Sequence, residues 1–198
     1  KGGVGKTSVT LGLASAALHQ GVNALVIDLD PQGDSTLGLL GEPASTLDIA
    51  EVLSSPRTET IDRAIIPTPW SKDAASHLDI IPGTSRSAVM DSPALNQKDV
   101  GRLHQALDKR THQYDLVIID CPPSLNGLTQ MALAASDRSL VVAEPGFFAV
   151  TAADRALKLA AEMHEEGIAP RLQPLGLGVN RYRPRSVVHQ DRLAELPD

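Results

Sequence analysis

Five short apolar runs, each cut off by turn-forming residues, constrain this chain more than any other feature. They are 22–28 (VNALVID), 77–81 (HLDII), 115–120 (DLVIID), 139–143 (SLVVA) and 175–180 (LGLGVN). The first stops at Pro31-Gln32-Gly33, the second at Pro82-Gly83, the third at Pro122-Pro123 and the fourth at Glu144-Pro145-Gly146; the fifth ends in a basic loop. Nearly continuous apolar runs of this length suit strands buried on both faces of a parallel sheet. Helical stretches are expected before, between and after them at 7–19, 46–53, 96–110, 126–135, 151–166 and 187–196. Strand and helix in alternation predict an α/β fold, with right-handed crossovers, a mainly parallel central sheet and helices on both faces. The segment 54–76, with Pro56, Pro67 and Pro69, is expected to be an irregular surface excursion. Within it, Trp70 either anchors the segment to the core or marks a partner surface.

Composition narrows the class further. Hydrophobic residues make up 42% of the chain but aromatic ones only 3%, so the core must be built from Leu, Val, Ile and Ala. A net charge of -6 argues against a domain whose whole surface is a nucleic-acid footprint, while leaving room for a local basic patch. The one cysteine, Cys121, excludes a disulfide framework and any multi-thiolate metal site within the chain, and reads as a small buried residue at a strand end. The six histidines show no ligand spacing, so no zinc site is expected. No apolar run is long enough to span a bilayer. With no secretory signal in view, the cytoplasm is the expected compartment.

The chemistry concentrates at three places. The first seven residues, KGGVGKT, form a glycine-rich turn leading into a helix. Gly2, Gly3 and Gly5 permit backbone conformations that let N–H groups turn inward around phosphate oxygens, with Val4 inside the run and Ser8 just after it. Lys6 would reach the β- and γ-phosphates of a nucleotide, Thr7 would ligate Mg²⁺, and the helix adds the positive end of its dipole. A second place is Asp28-Leu29-Asp30, where two carboxylates at i and i+2 leave a strand together; they suit Mg²⁺ or the orientation of an attacking water. The third is Asp120, the acid that ends an apolar strand and suits the metal's water shell. Alone, each of the acidic features reads as a solvated turn or a strand end; beside the glycine turn they read as one Mg·ATP site.

A lysine at the head of the turn, Lys1, ahead of two glycines, is the deviant Walker A form, and the chain resembles the ParA/MinD superfamily of P-loop ATPases. KGGVGKT (1–7), DLDPQGDST (28–36), DLVIIDCPPSL (115–125) and GLTQMALAASD (127–137) look like ParA proteins in order and spacing. The stretches 144–157 and 179–186 look like actinobacterial ParA-like proteins. The resemblance implies a single P-loop ATPase domain over 1–198, with a first strand before Lys1 and a closing part beyond Asp198. It implies that Lys1 reaches a partner's ATP across a homodimer, that Asp30 orients the hydrolytic water, and that Asn180 is similar in position to the family's adenine-contacting Asn. It also implies slow ATP hydrolysis, a ParB-like stimulator and DNA partitioning, with nucleoid association.

Other readings stay open at this point. A MinD-like positioning ATPase at the membrane would need an amphipathic helix that these residues do not show. A relative of the nitrogenase iron protein would need two thiolates per subunit, and one cysteine cannot supply them. Arg181, Arg183, Arg185 and Arg192 could contact DNA phosphates without sequence preference, or could form a solvated basic loop or part of the nucleotide pocket. Where ParA proteins commonly carry Glu-Tyr-Phe, this chain has Glu144-Pro145-Gly146-Phe147-Phe148, which leaves partner specificity open.

Overall fold

The computed structural model describes residues 3–43, 47–72, 74–93, 95–108, 113–146, 149–186 and 189–190. Lys1, Gly2, Phe147, Phe148, Arg192 and most of the expected helix 187–196 lie outside the described residues. Two compact units form, Thr7–Ala135 in one and Lys1–Lys6 with Ser136–Asp198 in the other.

In the larger unit, strand β1 (Ala24–Asp28) lies between two parallel neighbours, β3 (Leu78–Ile81) and β4 (Leu116–Asp120). The two-residue strand β2 (Ile66–Pro67) runs antiparallel on the outer side of β3. All five residues of β1 are buried, as a central parallel strand requires. Successive side chains along it point to opposite faces, and they feed two separate cores. Leu25, Ile27 and Leu29 pack with residues of helices α3 (Ile49–Ser54), α4 (Thr58–Ala64), α6 (Arg102–Leu107) and α7 (Gly127–Ala135). Ala24 and Val26 pack instead with Ala14 and Ala17 of helix α1 (Lys6–His19) and Leu39 of helix α2 (Asp34–Leu40). Helices thus cover both faces of this sheet. Each fully buried Leu or Ile contributes about 2–3 kcal/mol through removal of apolar surface from water.

The segment 54–76 departs from expectation. It contains α4, whose Ile61 and Ala64 are buried, then β2 and a 3₁₀ turn at Pro69–Ser71. Trp70 remains partly exposed. The segment is fastened by hydroxyls: Thr68 Oγ1 donates to the carbonyl of Leu78 at 2.8 Å, and Ser71 Oγ accepts from the Leu78 N–H at 2.7 Å. The helix expected over 96–110 is interrupted at Gly101, which separates α5 (Gln97–Val100) from α6. Helix α3 starts where a capping box forms. The Asp48 carboxylate accepts from the Ala50 N–H at 2.8 Å, and Glu51 reaches back to the Asp48 N–H at 3.2 Å.

In the second unit, β5 (Arg138–Ala143) and β6 (Gln173–Val179) pair in parallel through helix α8 (Ala149–Glu165), a βαβ connection. Ala153, Ala160 and Met163 of α8 are buried with Ala169 and Leu172. The fold is therefore mixed α/β with mainly parallel strands; β2 is the antiparallel exception among the described residues.

Candidate functional site

Parallel pairing of β1 with β4 sets Asp28 directly in register with Asp120, so the two strands end in adjacent acids. Both are buried, Asp28 fully and Asp120 at 2% exposure. Buried carboxylates need donors, and the first turn of α2 supplies them. Ser35 Oγ donates to Asp120 Oδ2 at 2.6 Å, while the Thr36 N–H and Oγ1 donate to Asp28 Oδ2 at 2.8 and 2.7 Å. The Asp120 oxygen that accepts from Ser35 also accepts from Thr7 Oγ1 at 2.8 Å. The hydroxyl that follows the turn lysine and the acid that ends β4 are thus in direct contact.

Asp28 is enclosed from a third side. Gly83, just beyond β3, donates its N–H to Thr36 Oγ1 at 2.8 Å, and a Cβ at that position would lie 2.8 Å from Asp28 Cγ. No side chain fits there, so Gly83 lets the β3 turn close over the acid. Burial pushes the Asp28 carboxyl up to about 6; the Thr36 hydrogen bonds oppose that shift and the charge of Asp120 adds to it. A carboxyl that ionises less readily when folded favours the folded state most at low pH, below the ordinary carboxylate range. That advantage is lost as pH rises through about 6. That shift predicts a loss of about 2 kcal/mol between pH 4 and 7 from this group alone. Denaturant titrations at pH 4, 5, 6 and 7 check it: Asp28→Asn should show a flatter profile than the unchanged protein, and parallel profiles would contradict the assignment.

Asp30 stands two residues beyond β1, half-buried. Its N–H donates to Asp28 Oδ1 at 3.2 Å and its Oδ1 accepts from the Gln32 N–H at 3.0 Å, an Asx turn that fixes the carboxylate's direction. Farther along, the loop after β4 is held by Asp91, which accepts from Ser124 Oγ at 2.7 Å and from the Leu128 N–H at 3.2 Å. Cys121 is half-buried against the apolar core beside this loop.

The glycine turn belongs to the second unit as far as Lys6. Gly3 and Gly5 have φ of +84° and +94°, the left-handed region that residues with a Cβ avoid. Helix α1 starts at Lys6, and Ser8 is exposed on its first turn. Asn180, one residue past β6, donates from Nδ2 to the Val4 carbonyl at 2.9 Å and accepts the Arg181 N–H on Oδ1 at 2.9 Å. Arg181, Arg183 and Arg185 are exposed; Arg181 is 3.6 Å from Glu144, and the Arg183 N–H donates to His189 Nδ1 at 3.1 Å.

Of the residues expected to hold a metal, Thr7 and Asp120 are in contact, and Asp28 stands beside Asp120 with its Oδ2 engaged by Thr36. Three residues that sequence reading passed over complete the arrangement: Ser35, Thr36 and Gly83. Hard oxygen donors, a hydroxyl and a carboxylate, fit Mg²⁺, which prefers such ligands and keeps much of its water. Among the described residues, no group of three or more His, Cys, Asp or Glu side chains is arranged to hold a metal ion. No helix among the described residues is long and apolar enough to cross a membrane.

Parallel strands ending in paired acids, with a glycine-lysine-threonine turn opening a helix, define the P-loop class of nucleoside triphosphatase folds. A family model described as an AAA domain matches residues 1–173. The chain is 33% identical to the chromosome-partitioning ATPase Soj of Thermus thermophilus, over 99% of this chain and 72% of that protein. It is 32% identical to the chromosome partitioning protein ParA of Myxococcus xanthus, over 96% of this chain and 65% of that one. Among solved structures, it is similar to cobyrinic acid a,c-diamide synthase from Mycobacterium smegmatis with bound ATP analog and magnesium. The TM-score there is 0.84 at 28% identity, covering 98% of this chain and 77% of the other. The chain belongs to this AAA-domain family and, within it, to the ParA/Soj-like proteins. It spans 57% of the length of one such relative, the Soj protein of Bacillus subtilis.

Proposed function

We propose that this chain is a Mg·ATP-dependent dimerisation switch of the ParA type, with weak ATPase activity, acting in the partitioning of DNA. The observation that carries the proposal is the 2.8 Å contact between Thr7 Oγ1 and Asp120 Oδ2. It joins the residue after the turn lysine to the acid that ends β4, the pairing that a metal-bound triphosphate needs. The backbone of Gly2, Gly3, Val4 and Gly5, with Lys6, Thr7 and Ser8, holds the phosphates. Thr7 and Asp120 hold Mg²⁺, with Asp28 adding negative charge beside Asp120. When bound, Mg²⁺ neutralises phosphate charge. Asp30, its carboxylate oriented by the Asx turn, directs the attacking water.

Catalysis of this kind is positioning plus charge stabilisation, so a site lacking one cation is slow. Lys1 supplies that cation from the second protomer, which makes ATP the link between subunits and hydrolysis the step that separates them. A ParB-like stimulator sets the timing. Duplex DNA binds without sequence preference through the exposed arginines, in the cytoplasm at the nucleoid.

Light scattering of the full-length protein with a non-hydrolysable ATP analogue and Mg²⁺ tests this reading. The unchanged protein should double in mass. Lys1→Ala should stay monomeric while still binding the analogue within about threefold. Undiminished dimerisation of Lys1→Ala would remove the cross-subunit role.

A further inference from the structure

Asn180 holds the glycine turn by its backbone. Its own N–H donates to the Ala143 carbonyl at 2.7 Å, which fixes it at the end of the β5–β6 pair. Its carboxamide is then engaged at both ends by main chain: Nδ2 on the Val4 carbonyl, Oδ1 on the Arg181 N–H. The orientation of the amide follows from the partners, since a carbonyl can only accept and a peptide N–H can only donate. The carboxamide also fills the space that a side chain on residue 5 would need; a Cβ built on Gly5 would overlap Asn180 Nδ2. Gly5 is therefore required by its φ of +94°, and a side chain there would also displace the amide from the Val4 carbonyl. Arg181 sits at φ +56°, a conformation unusual for a residue with a side chain. Its N–H bond to Asn180 and the 3.6 Å approach of its guanidinium to Glu144 hold it there.

We infer that Asn180 is a positioning residue that sets the glycine turn in its phosphate-binding shape before nucleotide arrives, through the Val4 carbonyl. The inference rests on the nucleotide-binding reading above and adds a role that does not involve the base. A turn bearing left-handed residues at Gly3 and Gly5 has many competing conformations, because glycine is the least restrained residue. A single strut from a rigid strand end removes many of them and lowers the ordering cost of binding. The strut acts on the backbone that meets phosphate, so its loss weakens every ligand that carries a triphosphate, whatever base is attached. Binding lost in this way is uniform between ground and transition states, so KM rises while kcat at saturation holds.

The test is calorimetric titration of the full-length protein with ATP, GTP and inorganic tripolyphosphate, each with Mg²⁺, on the unchanged protein, Asn180→Ala and Asn180→Asp. Asn180→Ala should weaken ATP and tripolyphosphate by the same factor, roughly three- to tenfold, the range expected for one net hydrogen bond. Asn180→Asp keeps the side-chain shape, which guards against a folding failure. It sets a carboxylate against the Val4 carbonyl and should lose more with both ligands. Steady-state ATPase should show KM raised by the same factor with kcat within twofold of the unchanged protein, as roughly expected for lost uniform binding. Loss of ATP affinity with tripolyphosphate binding intact would make Asn180 a reader of the base and overturn the inference, as would unchanged affinity for both. Absence of ATP binding by the unchanged protein is a separate result, and it would remove the nucleotide site itself.

Discussion

Lys6→Ala should lose ATP affinity on the order of 100-fold while melting close to the unchanged protein, the usual scale for deleting a charge-assisted contact. The turn backbone and the dipole of α1 remain in that variant, so binding should be weakened rather than abolished. Alanine is the best helix former, and Lys6 is the first residue of α1, so the helix itself has no reason to fray. Titration calorimetry and a thermal melt on the same sample separate the two effects. A variant that binds ATP normally would show that the lysine does not meet phosphate. A variant that loses both binding and melting temperature would assign Lys6 a structural role instead.

Asp120→Ala should be the most damaging single change, because the proposed site gives this acid a metal-holding role on top of its buried hydrogen bonds. The acid is buried and accepts from both Thr7 and Ser35 through one oxygen. Truncation leaves two hydroxyls without their acceptor, at a cost of about 2–4 kcal/mol. Relief of the repulsion on Asp28 offsets part of this, since Asp120 helps to push that carboxyl up. Denaturant unfolding reads the stability term. The second term appears in ATP binding measured across Mg²⁺ concentrations. The unchanged protein should bind more tightly as Mg²⁺ rises, and Asp120→Ala should not. Equal stability together with unchanged Mg²⁺ dependence would contradict both roles.

The parallel strands, but not β2, were legible in the sequence because each is written as a nearly uninterrupted apolar run. The two-sided burial expected of them holds along the whole length of β1 alone among the described strands, and β5 and β6 are largely half-buried or exposed. ALVID in β1 and LVIID in β4 also carry their acids at the final position. Their register, which puts Asp28 next to Asp120, is a tertiary fact that no run of letters states. Helix α2 was not legible. Its seven residues lie between Gly33 and Gly41, too short for a period of 3.6 to show, and Asp34-Ser35-Thr36 looks like the tail of a turn. With α2 missing, the donors that hold both acids were missed as well. Helix α4 was hidden by the prolines on either side of it, although its buried Ile61 and Ala64 have helical spacing. In the site, the glycine turn and the acids were read from residue type. The hold of Asn180 on Val4 joins residues 176 positions apart, which no local pattern of residues states.

Calorimetric titration of ATP into the full-length unchanged protein, once with Mg²⁺ and once with chelator, bears most directly on the proposal that the glycine turn and the strand-end acids hold one metal-bound triphosphate. Saturable binding at one nucleotide per chain is expected, weakened about tenfold or more when Mg²⁺ is withdrawn, as a hard-cation site shared by Thr7 and Asp120 demands. No binding, or binding indifferent to Mg²⁺, would contradict it.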